Sequence, residues 1–145
     1  MTTAVDTNII VALWDKDASI SSLARTALEA ALQRGGLMVS APVFAELVAC
    51  PGRDETFLAA FFRDTGIAID WELGEPVWRA AGRAFQAYAS RRRKESGSGP
   101  RRILADFLIG AHAVHNNCAL LTLDDRLYRA AFPRLKILNA GSLRD

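Results

Sequence analysis

The chain is sparing with the residues that most often announce a chemistry. Cysteine and histidine occur twice each in 145 residues. Cys50 and Cys118 show neither CxxC spacing nor a Cys/His partner set, which argues against a disulfide framework and against a zinc centre; two free, buried thiols are expected. Long hydrophobic runs are missing as well. The most apolar stretches are broken by Asp15, Asp106 and His112 before they reach the roughly eighteen residues of a membrane span. The N-terminus has no basic segment followed by an uninterrupted apolar core, so no secretory signal is read and a soluble, cytoplasmic protein without a membrane partner is expected. A strong excess of one charge is absent too: the formal net charge of +2 is too mild to assign a nucleic-acid partner by itself.

Half of the residues are hydrophobic, enough for one sizeable core in a chain too short for two ordinary domains, so residues 1–145 read as a single domain. Short apolar strands alternate with longer helical patterns. Strands are predicted at "TAV" near the start, "LMVSA" (37–41), "IAID" (67–70), "ALLTL" (119–123) and "LKIL" (135–138). Between them, "SISSLARTALEAALQRGG" opens on serine, repeats Leu and Ala at helical spacing and stops at Gly35 and Gly36. "APVFAELVAC" has Pro42 where a first helical turn accepts it. "DETFLAAFFRDTG" and "EPVWRAAGRAFQAYASRRR" also have helical spacing, and "RRILADFLIGAHAVHN" is apolar nearly all round, which predicts a buried helix. Strands alternating with helices, and too apolar to face water, imply an α/β fold with a parallel sheet covered on both faces.

Carboxylates sit at the ends of these strands. Asp6 directly follows the first, Glu46 lies early in the helix after the second, and Asp124 and Asp125 follow "ALLTL". In open parallel sheets, sites form outside the carboxyl ends of the strands, so these acids can converge. Asp106 interrupts "ILADFLIGA", where a lone carboxylate would protonate or find a partner such as a bound cation. Each acid also has a plainer explanation. Asp6 or Thr7 can cap a helix beginning at "NIIVALW", Asp124 or Asp125 can cap "RLYRAAF", and Glu46 can be a surface charge. Those explanations account for the acids separately, but not for their shared placement. His112 and His115 are three apart on a helix, yet lack a third metal ligand at matched spacing. Trp14, Phe44, Phe57, Phe61, Phe62 and Trp78 read as core residues, although "FLAAFF" is apolar enough for part of it to meet a partner.

Positive charge is concentrated in "SRRRKESGSGPRR". The basic residues flank Gly97, Ser98, Gly99 and Pro100, which suit a mobile loop rather than a helix. Arg91, Arg92, Arg93, Arg101 and Arg102 are either a solvated connection or a clamp for phosphates.

Four segments together, "VDTNII" at the start, "VFAELV" around Glu46, "PRRILADFLIGAHA" around Asp106 and "LLTLDDRLY" at Asp124, resemble the PIN-domain ribonucleases, specifically the VapC-type toxins of toxin–antitoxin modules. The resemblance spans essentially the whole chain. It implies a PIN-like three-layer α/β/α sandwich with a five-stranded parallel sheet. It also implies an acidic quartet of Asp6, Glu46, Asp106 and Asp124, supported by Thr7, Asn8 and Thr122, with Asp125 competing for the fourth position. Asp6 and Asp106 would be the principal ligands of Mg²⁺ or Mn²⁺, Glu46 a ligand or water-orienting base, and Asp124 a ligand acting through water. Hard oxygen donors suit those ions. The implied activity is metal-dependent hydrolysis of RNA phosphodiester bonds, with the arginines holding the RNA backbone. The implied partners are a cognate antitoxin and a second copy of the chain in a homodimer.

Other classes are distinguishable. A catalytically silent RNA- or antitoxin-binding PIN module would not need all four acids. A phosphoacceptor receiver domain could use Asp70 and Lys136 but leaves Glu46 and Asp106 unexplained. A haloacid-dehalogenase-type phosphatase needs a second carboxylate where Asn8 stands.

Overall fold

Every residue of β1 (Thr3–Val5) and of β4 (Ala119–Thr122) is buried, which strands achieve inside a sheet covered on both faces. In the computed structural model, which describes residues 1–96 and 104–144, these two strands are neighbours at the centre of the sheet. β2 (Leu37–Ser40), β3 (Ala68–Asp70) and β5 (Ile137–Asn139) complete the parallel order β3-β2-β1-β4-β5. The helices between them are α1 (Thr7–Leu13), α2 (Ala18–Arg34), α3 (Ala41–Val48), α4 (Glu55–Thr65), α5 (Glu75–Ser96), α6 (Leu104–His115) and α7 (Arg126–Ala131), and a 3₁₀ turn (Ala140–Arg144) follows β5. From β1 the chain steps outward to β2 and β3, then crosses back to β4 and β5. Right-handed crossovers in opposite directions put their helices on opposite faces, which yields the three layers.

Local sequence explains most of the boundaries. Asp17 caps α2 by accepting from the Ser19 N–H at 2.9 Å, and Asp54 caps α4 by accepting from the Phe57 N–H at 2.8 Å. Gly66 ends α4 with φ +73°, a left-handed conformation that costs glycine little. The second strand stops at Ser40, one residue earlier than predicted, because Pro42 draws Ala41 into the first turn of α3. The last strand begins later than predicted: the Leu135 N–H donates to the Phe132 carbonyl at 3.0 Å in a turn after Pro133, so pairing starts only afterwards.

Two further expectations need correction, and one helix is longer than its spacing marked. Helix α5 takes in Arg91, Arg92 and Arg93 as predicted and continues three residues to Ser96; arginine, lysine and glutamate are good helix formers, and cations suit a helix C-terminus. Residues 97–103, including Arg101 and Arg102, lie outside the described residues. Trp78 and Phe57 are 47% and 36% exposed rather than core, while Phe62 is buried and Trp14 packs edge-on against Phe57 and Phe61. Cys118 is buried as expected but Cys50 is only partly so.

Helix α6 buries seven consecutive residues, Phe107 to Ala113, matching its all-round apolar sequence. It lies so close to the residue that ends α7 that a Cβ at Gly110 would collide with the Phe132 ring. No helix among the described residues is long and apolar enough to cross a membrane.

Candidate functional site

β1 and β4 are neighbours whose following connections leave in opposite directions, so a crevice forms outside their carboxyl ends. A pocket of about 340 Å³ opens there, with Asp6, Glu46, Asp106 and Asp124 around it together with Thr7 and Asn8. Val11, Leu127 and Tyr128 complete its lining. A pocket of about 380 Å³ at Met1, Arg134 and Lys136 contains no carboxylate side chain.

Asp6 is the residue between β1 and α1, and it caps the helix while lining the pocket. It caps α1 by accepting from the Thr7 N–H at 2.8 Å, and its second oxygen accepts the Thr122 hydroxyl at 2.8 Å. At 5% exposure it is among the few buried charged groups. Burial pushes its pKa up, the nearby Glu46 charge pushes the same way, and the donors Thr122, Tyr128 and Thr7 oppose the rise. Glu46, half-buried on α3, accepts the Thr7 hydroxyl at 2.7 Å. Thr7 therefore ties two acids together, one through its backbone and one through its side chain.

Asp106 stands in the first turn of α6, where the helix dipole favours an anion. It is half-buried and faces the pocket instead of being enclosed. Asp124 follows β4, and its backbone N–H donates to the Thr122 hydroxyl oxygen at 3.2 Å. Its carboxylate accepts from Arg126 at 3.3 and 3.4 Å. Asp125 turns instead to Arg129, one helical turn on, at 2.6 Å, and that hydrogen bond holds its carboxyl below the usual range. Of the adjacent pair it is Asp124 that lines the pocket.

The polar residues form one network. The Asn8 amide donates to the Thr122 hydroxyl oxygen at 3.2 Å and accepts from the Leu123 N–H at 3.2 Å. This braces the start of α1 against the end of β4.

The remaining expectations divide. Arg91 and Arg93 are exposed and Arg92 half-buried near the end of α5, and none of these three lines the acid pocket. His112 and His115 do not form a pair. His112 is 1% exposed and its Nε2 lies 2.9 Å from Asp70 Oδ2, while His115 is exposed. The His112 Nδ1 has no hydrogen-bond partner, so Nε2 is the ring nitrogen that bonds Asp70. Asp70, the residue a receiver reading would need, is thereby engaged. Tyr128 was missed by the sequence reading; its signal is the tyrosine one helical turn after Asp124 in "LDDRLY".

The donors converging on the pocket are hard carboxylate oxygens, a set that suits Mg²⁺ or Mn²⁺. Among the described residues no three donors are drawn together at coordinating distance. Glu46 is held by Thr7 and Asp124 by Arg126, so closing around an ion requires side-chain movement. The residues fit such a cation in donor chemistry.

Three solved structures share this fold over nearly their whole length. VapBC2 from Rickettsia felis, bound to a DNA fragment from its promoter, is 21% identical with a TM-score of 0.66, covering 96% of this chain and 98% of that one. VapBC-1 from nontypeable Haemophilus influenzae is 21% identical with a TM-score of 0.66, covering 97% and 99%. FitAcB from Neisseria gonorrhoeae is 19% identical with a TM-score of 0.65, covering 97% and 99%. At these identities the likeness is one of fold. No curated protein matches the chain. The model of the PIN domain family matches residues 3–133, a span that holds all four pocket acids, and the chain belongs to that family.

Proposed function

We propose that this protein is a metal-dependent endoribonuclease that hydrolyses RNA phosphodiester bonds and acts as the toxin of a toxin–antitoxin pair. One observation carries the reading: four acids from segments spread over the whole chain line a single pocket at the switch point of the sheet. Asp6, Asp106 and Glu46 would hold Mg²⁺ or Mn²⁺, and Asp124, tethered by Arg126, would contribute from the rim. When bound, such an ion supplies Lewis-acid stabilisation of phosphate charge and acidifies the attacking water.

The chain's own residues do the rest. Thr122 and the Thr7 N–H fix both oxygens of Asp6, so its orientation is set before any ligand arrives. Thr7 fixes Oε1 of Glu46, making that carboxylate the group that orients the water and accepts its proton. Because an acidic pocket repels phosphate, cations elsewhere must hold the RNA. Arg91, Arg92 and Arg93 end the helix that residues 97–103 connect to α6 and Asp106. With Arg101 and Arg102, they are assigned the backbone contacts.

Partners follow from the same surface. A further solved structure with this fold, 17% identical with a TM-score of 0.66, is a toxin–antitoxin complex from Klebsiella pneumoniae. An apolar cleft of about 540 Å³ lined by Pro42, Leu73, Trp78, Leu104 and Leu108 shares Glu46 with the acid pocket. An antitoxin segment with an apolar stretch and a basic residue suits both. A homodimer is expected, with part of α4 and its exposed Phe57 as a contact.

The test is incubation of the purified protein, free of antitoxin, with total cellular RNA and Mg²⁺ or Mn²⁺, followed by sequencing of fragment ends. Discrete cuts that vanish with chelator and in Asp106→Asn are expected. No cutting by folded protein shown to bind the ion would replace this reading with a silent binding module.

A further inference from the structure

The segment "CPGRDETF" builds a fixed corner between α3 and α4. Pro51 and Gly52 occupy the middle of a tight turn, Gly52 with φ +76°, and the turn closes where the Arg53 N–H donates to the Cys50 carbonyl at 3.1 Å. Proline followed by a left-handed glycine is the pair such a turn favours. Asp54 then caps α4. The backbone of Arg53 is therefore held on both sides, by a turn before it and a cap after it.

Its side chain is held too. The rings of Trp14, at the end of α1, and Phe57, in the first turn of α4, meet edge-on with centroids 5.5 Å apart and planes inclined at 76°. Arg53 is half-buried, and its guanidinium sits in the notch between the two rings, 4.7 Å from the centre of Trp14 and 4.5 Å from that of Phe57. Both contacts are cation–π in kind. What the guanidinium lacks is an anion. Arg63, Arg79, Arg126 and Arg129 each bond a carboxylate, whereas among the described residues none accepts from the Arg53 side chain. A planar fork fixed in one place with its donors unspent suits a phosphate or a carboxylate. The ordering of a long side chain, normally a cost of binding, is already done by the rings.

Position favours the phosphate. Val11 and Glu46 line the acid pocket. Trp14 follows Val11 by three residues, and Cys50, whose carbonyl closes the turn, follows Glu46 by four. At 1.5 Å per residue each path is about one helical turn long. An RNA strand crossing a pocket that repels its phosphates needs a cation beside it, and Arg53 stands there with nothing else to bind.

We propose that Arg53, set between Trp14 and Phe57, binds a backbone phosphate of the RNA strand beside the acid pocket, an assignment that rests on the ribonuclease reading above. It adds a contact on the α1 and α3 side to those assigned to the arginines of α5. Because it touches the backbone, it contributes affinity and register without base preference.

The experiment compares full-length wild type with two neutral variants, Arg53→Gln and Arg53→Met, and with Arg53→Lys. Binding of a short labelled single-stranded RNA is followed by fluorescence anisotropy over a range of salt in chelator, where no ion is present to support cutting, and melting and sedimentation are recorded for each protein. The notch forms without an ion, so the contact is expected in chelator. For the neutral variants the expected result is about fivefold weaker binding at low salt. Their slope of log affinity against log salt should be shallower by about 0.7, the value of one phosphate on a single strand. Arg53→Lys, which retains the charge, should keep the wild-type slope. Arg53→Met covers the rings with an apolar stem and carries the comparison if Arg53→Gln melts early.

An unchanged slope in the neutral variants overturns the proposal and leaves Arg53 a packing role against the two rings. A wild type that binds no RNA at low salt overturns it as well. So does a neutral variant that sediments differently from wild type, because the missing anion would then be a carboxylate of a second copy. A wild type with the Arg53-dependent slope that cuts no RNA in Mg²⁺ or Mn²⁺ sustains the contact and removes the nuclease reading; one that cuts RNA while the slope is unchanged keeps the nuclease and removes the contact.

Discussion

Thr122 donates its hydroxyl proton to Asp6 at 2.8 Å, joining the ends of two adjacent strands whose residues lie 116 positions apart in the chain. Thr122→Val keeps the shape and removes the donor, leaving a buried carboxylate short of one hydrogen bond. A loss of about 1–3 kcal/mol at pH 7 is expected. The folded pKa of Asp6 is already raised by burial, and losing a bond that favours the charged form raises it further. The deficit is therefore largest above that pKa and shrinks on acidification, once Asp6 is protonated in both proteins. Denaturant unfolding at pH 7 and pH 4 measures this, and equal deficits at the two values contradict it.

Asp124 and Asp125 are adjacent but face different partners. Asp124→Asn is expected to lower RNA cleavage at least tenfold, Asp106→Asn to abolish it, and Asp125→Asn to leave it within about twofold. The last change weakens an i,i+4 pair with Arg129, whose exposed guanidinium limits it to about 0.3–0.5 kcal/mol, and touches nothing in the pocket lining. Without metal, Asp106→Asn should melt no earlier than wild type, since it removes a charge from a crowded acidic pocket. Initial cleavage rates and melting midpoints for the three variants check the assignment.

Arg91 and Arg93 are exposed at the end of α5. If they hold RNA phosphates, replacing both with alanine weakens binding to every sequence alike. The slope of log affinity against log salt should then become shallower by about 1.4, at roughly 0.7 per phosphate contact on a single strand. Filter binding at four salt concentrations reads the slope, and an unchanged slope returns these arginines to the role of solvated charges.

The Asp70 carboxyl is held below its ordinary value of 3.8, first by the hydrogen bond from His112, with burial opposing. A carboxylate with a depressed folded pKa contributes stability above its unfolded value and loses it as pH falls through the folded one. Asp70→Asn should cost about 1–3 kcal/mol at neutral pH, because the buried ring nitrogen of His112 loses its charged acceptor. The loss of stability below about pH 4 should also flatten. Melting curves from pH 2.5 to 7 test both.

Much of this was legible from residue order. The apolar runs located all five strands, most clearly the central ones, because a doubly covered strand cannot hide its composition, and four acids at successive strand and helix ends marked the pocket. What escaped depended on side-chain direction or on competition between local signals. Gly97 and Pro100 suggested a loop, yet helix-forming residues carry α5 to Ser96 before them. The outward turn of Asp125 follows from Arg129 four residues later, a spacing present in the sequence but meaningful only once α7 is known to start there. Trp78 faces a cleft at the surface, something no composition argument assigns. Tyr128 escaped notice because its place in the pocket lining is defined only by groups from three other segments.

The bond between Asp6 and Thr122, with Asp124 just beyond, also carries a consequence in time. A ribosome adding about 5–20 residues per second needs roughly 6–23 s to pass from the first of these positions to the second. Until the strand containing Thr122 has emerged and paired beside β1, the pocket has no far wall. Any activity that depends on it begins only after β4 has emerged, and a nascent chain stalled before that point carries an unfinished pocket.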